Sequence, residues 1–460
     1  MKVIVLGAGQ VGFSIAKYLS LEDNDVSVVD NSPDLLKKIG DTIDIQPIIG
    51  HASHPSVLEQ AGASEHVDLM IAVTGSDEVN IVACEVANAL FNVKTKIARI
   101  RSQNYISPYC TNLFTQKHIA IDHIISPELE IAKSISRSIR VMGAFNVISL
   151  MNDRIKSIGL RCPQRAPILN TPLRLLPSSF PKLPFAVLCI TRGDKLFVPN
   201  GDDQILAGDE VYILTETGQI HNITAAFGSN DSDGRCILIM GSGNIGLSLA
   251  RELEQQPDIL CKVVERNIKR AEIAARELQK TEVLCGDALD YAVLREANAA
   301  ATETAVSITD DDKVNILSAL LAKRSGAKRS MCLLNNMAYS SFVTSLGVDA
   351  IINPKSITVS TILQHIRQGR IRATYPICND FAEMIEVEAR ESSLAIGLSI
   401  GDIHIDGQII VAALVRNDEV SFLPSPNTFI RIDDRLVITA VKASIKKIEK
   451  LFALRSSRYF

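Results

Sequence analysis

Read for hydrophobic spacing alone, the chain says most things twice. Residues 3–6 (VIVL) and 237–240 (ILIM) are unbroken apolar runs, each followed by a glycine-rich turn and then by apolar residues at helical spacing, SIAKYL and SLAREL. Run, turn and amphipathic stretch together predict a buried parallel strand and the helix that crosses over it. A second strand closes on an acid in both places, VSVVD at Asp30 and CKVVE at Glu265. Further on, AVTGSDEVNIVACEVANAL (72–90) matches SITDDDKVNILSALLAKRS (307–325), pairing Thr74 with Thr309 and Asn80 with Asn315. IDHIISPEL (121–129) matches VDAIINPKS (348–356), where Ser126-Pro127 and Asn353-Pro354 read as a helix N-cap followed by proline. The period then changes: VLCITRGDKLFVPNGDDQILAGDEVYILT (187–215) and AALVRNDEVSFLPSPNTFIRIDDRLVITA (412–440) alternate as hairpin strands do.

The predicted fold class is α/β, with two Rossmann-like doubly wound parallel sheets, each followed by a small β-rich α+β module. The expected boundaries are a first Rossmann-like domain over 1–122, a connecting helix over 123–140 and a first β-rich module over 141–227. After an apolar-free linker over 228–234 come a second Rossmann-like domain over 235–352, a connecting helix over 353–374 and a second β-rich module over 375–460. Six prolines between residues 161 and 184 predict a long ordered or semi-ordered loop rather than a continuous strand or helix.

The glycines carry the first chemistry. Gly7-x-Gly9-x-x-Gly12 and Gly241-x-Gly243-x-x-Gly246 sit between strand and helix, as in the fingerprint of dinucleotide-binding units. The first glycine permits a tight turn, the second lets backbone amides approach a pyrophosphate, and the third lets helix pack on strand. Asp30 and Glu265 follow at the distance expected of the acid that receives ribose hydroxyls. Carboxylates there disfavour a 2′-phosphate, so NAD(H) is expected before NADP(H), and ATP or ADP stays open. Thr74 and Thr309 fall at the carboxyl edge of a fourth strand, where they suit ligand contact, helix capping or both. Arg99 and Arg101 emerge where a fifth strand ends, near a ligand's phosphates, but the second half carries LLNNMAY (333–339) there, with Leu333 in the place of Arg99. After the third strand stand Gly50-His51 and Gly286-Asp287, of which Asp287 is the better acceptor for an adenine amino group. The two sites are therefore expected to differ. His51 with His54 lacks a third ligand for zinc, and Asp310, Asp311 and Asp312 read as first-turn helix acids, so no metal is assigned.

Composition narrows the class. In 460 residues, 47% are hydrophobic, enough for several cores, and the formal charge of −4 gives no basic surface for nucleic acid. Nine cysteines without a C-x-x-C pair suit reduced thiols. The first strand begins at once, without a leader-like segment, and no apolar stretch is long enough to cross a bilayer, so a cytosolic protein is expected.

With the glycine motifs, both acids, VTGSDEVN, ITDDDKVN and the β-rich tails in view, the chain resembles the peripheral NAD-binding subunits of Trk potassium-uptake systems over nearly its whole length. These are built from tandem regulator-of-potassium-conductance domains. The resemblance implies regulation rather than turnover, with no catalytic residue: binding of NAD(H), and often ATP or ADP, assembly into a homo-oligomeric ring, and gating of an integral membrane potassium-transporting Trk subunit from the cytoplasmic face of the inner membrane. Carried over residue by residue, it implies Gly7, Ala8, Gly9, Gln10 and Val11 on the pyrophosphate, Asp30 on ribose, and Val73, Thr74, Ala98 and Arg99 around the first ligand. It implies Gly241, Ser242, Gly243, Asn244, Ile245, Glu265 and Asp287 around the second. The alternatives are an NAD-dependent dehydrogenase built from fused repeats, which lacks an evident acid–base constellation for hydride transfer, and a redox-sensing transcription regulator, which lacks a helix-turn-helix.

Overall fold

The structure is a computed structural model, and it describes residues 1–21, 24–106, 112–114, 118–193, 195–228, 235–366, 371–378 and 381–452. Of the expected linker over 228–234, all but Gly228 lies outside the described residues.

The first half begins with alternating strands and helices: β1 (Lys2–Leu6), α1 (Gln10–Leu21), β2 (Asp25–Asp30), α2 (Pro33–Gly40), β3 (Gln46–Ile49), α3 (Pro55–Gln60), β4 (Leu69–Ala72), α4 (Asp77–Phe91), β5 (Thr95–Arg99), α5 (Gln103–Ile106), β6 (His123–Ile125) and α6 (Pro127–Arg140). All six strands are parallel in the order β3-β2-β1-β4-β5-β6. The strand order reverses between β1 and β4, from which the connections run outward in opposite directions, and this opens a crevice at their carboxyl ends. β6 lies beyond residue 122, so the sheet takes in the first residues of the span expected to connect it onward. The β-rich module holds β7 (Ala144–Leu150), β8 (Ile155–Arg161), α7 (Leu176–Ser179), β9 (Phe185–Arg192), β10 (Lys195–Phe197), β11 (Glu210–Glu216) and α8 (Ile220–Ala226), its sheet antiparallel in the order β10-β9-β11-β8-β7. The proline-rich stretch contains the short helix α7 in largely irregular backbone, and tucks Cys162, Ala166, Ile168 and Leu176 into the module's core.

The second half repeats the plan with β12 (Arg235–Met240), α9 (Asn244–Glu254), β13 (Ile259–Glu265), α10 (Ile268–Glu277), β14 (Glu282–Cys285), α11 (Tyr291–Glu296), β15 (Thr304–Ser307), α12 (Asp312–Arg324), β16 (Arg329–Leu333), α13 (Ser340–Ser345), β17 (Ala350–Ile352) and α14 (Pro354–Ile366). Its module holds β18 (Ile371–Ile377), β19 (Ala382–Glu388), α15 (Ile400–Ile403), β20 (Ile409–Arg416), β21 (Glu419–Phe422), β22 (Arg435–Val441) and α16 (Ile445–Phe452). The sheet orders are β14-β13-β12-β15-β16-β17 and β18-β19-β22-β20-β21, the same two topologies again. β18 begins at Ile371, inside the 353–374 span expected to be helix; α14 is described over Pro354–Ile366, and residues 367–370 lie outside the described residues.

Packing does not follow the order of the chain. The described residues fold into two compact units, 1–130 with 354–366, and 131–353 with 367–460. In the first, α14 from the second half lies on the first parallel sheet: Ile362 and Val359 join Val3, Val5, Ile15 and Leu19, and the His365 ring stacks on His123 with centroids 4.5 Å apart. In the second, the later turns of α6 lie against the second parallel sheet. Arg329, at the start of β16, donates from Nη1 to Ser138 O at 3.1 Å and from Nη2 to Ala144 O, and Arg140 pairs with Glu252 at 3.2 Å. Burial pushes the Arg329 guanidinium down to about 10, and those carbonyl contacts keep its N–H groups satisfied. Each connecting helix thus covers the other half's sheet.

The second unit also joins the two β-rich sheets face to face through Leu150, Met151 and Leu214 from one module and Ile377, Met384 and Val437 from the other. Glu386 accepts from Met151 N at 3.1 Å and from Arg435 at 2.6 Å. Cys189 and Cys378, one from each module, form a disulfide inside this core, against the expectation that the thiols are all reduced. No described helix is long and apolar enough to cross a membrane.

Candidate nucleotide sites at the two sheet edges

The three glycines of each turn have different causes. Gly7 takes φ +109° and donates to Val29 O at 2.8 Å; Gly241 takes φ +111° and donates to Val264 O at 2.8 Å. An L-residue resists that backbone, so the turn demands glycine. At Gly12 and Gly246 a Cβ would collide with the carbonyl oxygens of Gly7 and Gly241, which is how closely helix and strand approach. Gly9 and Gly243 are different. A Cβ on either would meet no protein atom within 4 Å, and neither has positive φ, so nothing in the protein's own packing calls for glycine there. What a side chain would fill is the space before the first turns of α1 and α9, whose leading N–H groups point outward with the positive end of the helix dipole. The cradle fits a pyrophosphate.

The acids hold these turns in place. Asp30 accepts from Ala8 N at 2.6 Å and from Ser32 N at 2.8 Å; Glu265 accepts from Ser242 N at 2.8 Å and from Asn267 N at 2.8 Å. Glu265 takes a further bond, from Ser242 Oγ at 2.8 Å, for which Ala8 has no counterpart. Burial alone would raise the Glu265 pKa. The bonds from Asn267 and Ser242, with the charge of Arg270, outweigh it and hold the carboxyl below its ordinary value. A carboxylate offers about four lone-pair positions, so each acid keeps capacity for a ribose hydroxyl, Glu265 less than Asp30.

The fourth strand's edge is built around an asparagine. Asn80, fully buried on α4, accepts from Thr74 Oγ1 at 2.6 Å and Thr74 N at 3.0 Å, and donates to Arg99 O at 2.9 Å. Asn315 repeats this with Thr309 Oγ1 and N, both at 2.7 Å, and Leu333 O at 3.0 Å. The repeat pairs these asparagines in the sequence, but their role goes unread there; the signal is a polar residue at the same place on an otherwise apolar helix face in both halves. Neither threonine is the N-cap residue: Ser76 caps α4, accepting from Val79 N, and Asp311 caps α12, accepting from Lys313 N and Val314 N. Asp77 accepts from Arg101 N and Ser102 N, and Asp312 from Asn335 N and Asn336 N, so these acids clamp the loop after the fifth strand. Among the described residues no group of His, Cys, Asp and Glu is placed to hold a metal.

The remaining residues separate by exposure. Gln10 and Asn244 stand exposed at the helix openings, and Val11 and Ile245 are half-buried beside them. Ala8, Val73 and Ala98 are buried, so any contact they make comes from backbone. Arg99 closes β5 at the sheet's carboxyl edge and is half-buried, while Leu333, at the matching place in β16, is buried and carries no charge. Burial, then Arg101, lowers the Arg99 pKa against the opposing pull of Glu128 and Asp77. His51 pairs with Ser53 Oγ at 2.9 Å and lies against the His54 ring. Asp287 accepts from Leu289 N at 2.9 Å and faces Arg266 Nε at 3.7 Å, an exposed pair that stabilises little. In each half, then, the glycine turn, the acid and the threonine–asparagine pair meet at one sheet edge, while the fifth strand contributes a cation only in the first.

Comparison with known proteins places this geometry. The TrkA-N domain model matches residues 3–127 and 237–354, and the TrkA-C domain model matches residues 384–453. The Trk system potassium uptake protein TrkA of Azorhizobium caulinodans is 42% identical over 453 residues, covering 98% of either chain, and that of Vibrio alginolyticus is 37% identical over 456 residues with the same coverage. Among solved structures, the GsuK channel bound to NAD superposes with a TM-score of 0.59 at 14% identity, covering 98% of this chain and 78% of the other. The GsuK RCK domain gives a TM-score of 0.59 at 15% identity over 98% and 94%. These two similarities bear on fold.

Proposed function

The chain belongs to the TrkA family of Trk-system potassium uptake proteins, and from that premise we propose that it is a nucleotide-sensing regulatory subunit. In this reading it binds NAD(H), with ATP or ADP as further ligands, at both sheet edges. It assembles as a homo-oligomer on a membrane potassium-transporting Trk subunit, at the cytoplasmic face of the inner membrane, and alters that subunit's gating. The observation that carries the reading is the pair of open glycine positions, Gly9 and Gly243, each facing a helix N-terminus and each clasped by an acid through the neighbouring residue.

The residues divide the work by chemistry. N–H groups at the start of α1 and α9 receive the pyrophosphate, Asp30 and Glu265 accept from ribose hydroxyls, and Arg99 adds a cation in the first site only. Thr74 and Thr309, pinned by Asn80 and Asn315, fix the opposite wall of each crevice. The bound nucleotide supplies binding free energy rather than a reaction. Regulation then needs that free energy to differ between conducting and non-conducting assemblies, because a ligand that binds both equally shifts no equilibrium.

The test is reconstitution of a Trk membrane subunit with this chain, with potassium flux followed while NADH, NAD, ATP and ADP are exchanged. Flux should respond to nucleotide only when the chain is present, and the response should weaken in Gly9→Val while association persists. A response that is equal with and without the chain overturns the proposal.

A further inference from the structure

At the edge of the first parallel sheet Arg99 stands with two polar residues, Ser126 and Glu128, to which the nucleotide site as described gives no role. Arg99 closes β5, and its Nε is buried without a hydrogen-bond partner. Ser126 follows β6, is 7% exposed, and has a buried hydroxyl likewise without a partner. Glu128, the second residue of α6, has a buried Oε2 in the same condition. β5 and β6 pair with Arg99 opposite Ile125, which sets these atoms on adjoining strand ends, at the opening of a helix of 14 residues. Buried polar atoms are nearly always paired, so three unpaired ones at one place mark an environment arranged for something other than stability.

We propose that Glu128 competes with a phosphate group of the nucleotide for the Arg99 guanidinium and thereby sets the affinity of the first site for phosphorylated ligands. This rests on the reading that the first site takes a nucleotide, and names a residue that tunes it. The charges acting on Glu128 are Arg99, Arg101 and Asp77, two cations that attract it and one acid that repels it. A phosphate arriving at Arg99 is a second anion before the same cation. Two anions sharing one counter-charge in a partly buried place repel, so either the phosphate binds weakly or Glu128 takes up a proton. Burial, with Asp77, already raises the Glu128 pKa against the lowering effects of its own backbone amide and both arginines, which makes the proton cheaper to accept. The second repeat supports the pairing. There Leu333 replaces Arg99 and Lys355 replaces Glu128, so the acid disappears along with the cation it would contest.

A first-turn acid also steadies its helix through the dipole, and a structural role of that kind would affect all ligands alike. The experiment therefore compares a phosphorylated with a phosphate-free ligand. The full chain, with Gly243→Val silencing the second site, is titrated calorimetrically with ADP and with adenosine from about pH 6 to about pH 8. Glu128→Gln should bind ADP about five- to tenfold more tightly at the upper end, with adenosine unchanged, as expected when one like charge is removed beside a phosphate. Proton uptake on ADP binding, read from buffers of different ionisation enthalpy, should be greater in the parent than in Glu128→Gln, the titration of the terminal phosphate of ADP being common to both. Glu128→Asp keeps the charge and should behave as the parent does. The proposal is overturned if Glu128→Gln binds ADP as the parent does, if ADP and adenosine affinities move together, or if Glu128→Asp shows the same gain as Glu128→Gln. A parent that binds neither ADP nor NADH overturns the nucleotide reading of the first site, and this inference with it; a parent that binds NADH but not ADP overturns this inference alone.

Discussion

A single amide oxygen, Oδ1 of Asn80, receives both the hydroxyl of Thr74 at 2.6 Å and its backbone N–H at 3.0 Å, while the same side chain donates to Arg99 O. The end of the fourth strand and the end of the fifth are thereby tied through one fully buried residue. Asn80→Ala removes both partners and leaves the Thr74 N–H and the Arg99 carbonyl without their bonds. Each unsatisfied buried group costs about 1–3 kcal/mol, so the variant should be destabilised by roughly that amount or more in urea titrations. It should also lose affinity for NADH at the first site. An Asn80→Ala protein with parental stability would show that the tie is incidental.

The middle glycines are expected to part binding from stability. Gly9→Val and Gly243→Val place a side chain where the protein has no atom within 4 Å, so each should fold with a near-parental Tm and lose nucleotide binding at its own site. Gly12→Ala is the opposite case. Its Cβ meets the Gly7 carbonyl, and overpacking of this kind costs about 1–3 kcal/mol. Thermal melts beside NADH titrations check both halves of the prediction: a Gly9→Val protein that binds as the parent does would remove the basis for placing a pyrophosphate at that turn.

The strand and helix order was legible because buried parallel strands and their crossover helices leave unmistakable periods, and duplication supplies each pattern twice. The glycine turns and their acids were legible for a related reason: their spacing is imposed by backbone geometry, which sequence expresses directly. The places where sequence falls short all depend on which surfaces meet in space. A helix that follows its own sheet in the chain gives no sign that it covers the other one, as α14 does through Ile362. Cys189 and Cys378 are 189 residues apart and meet only because the two β-rich sheets face each other. Arg192 on Asp209 and Arg416 on Asp434 make the same paired bonds, yet simple alignment of the repeats puts the arginines one residue out of register. Asn80 and Glu128 were visible as residues, but their roles follow from neighbours contributed by different strands.

Glu265 should leave a mark on acid stability. Its pKa is lowered in the folded chain, so it contributes stability that is present above the ordinary glutamate value of about 4.3 and is lost as pH falls through the lower folded value. Glu265→Gln cannot titrate, and one of its oxygens becomes a donor that faces Ser242 or Asn267. The variant should therefore be less stable near neutrality and show a shallower decline below about pH 5. Urea midpoints measured across that range test this, and an unchanged slope would mean that the carboxylate is not a source of the pH dependence.

The two sites should titrate separately, and the structure dictates how to see it. Cutting the chain between its halves would strip each parallel sheet of the helix that covers it, since Ile362 of α14 packs on the first sheet and Arg329 of the second holds Ser138 and Ala144 at the end of α6. Site knockouts in the intact chain avoid this, with Gly243→Val reporting the first site and Gly9→Val the second. Arg99 ends β5 where the second sheet has the buried Leu333, and Glu265 spends an acceptor on Ser242 Oγ that Asp30 keeps free. A charge-assisted bond to phosphate is worth about 1.5–3 kcal/mol, or roughly tenfold or more in Kd, so the first site should bind NADH the more tightly, by less than the full factor where Glu128 contests Arg99. Arg99→Gln in the Gly243→Val background should bring the first site down toward the affinity of the second. Equal affinities in the two knockouts, or an Arg99→Gln variant that binds as its parent does, would show that the fifth-strand cation takes no part in recognition.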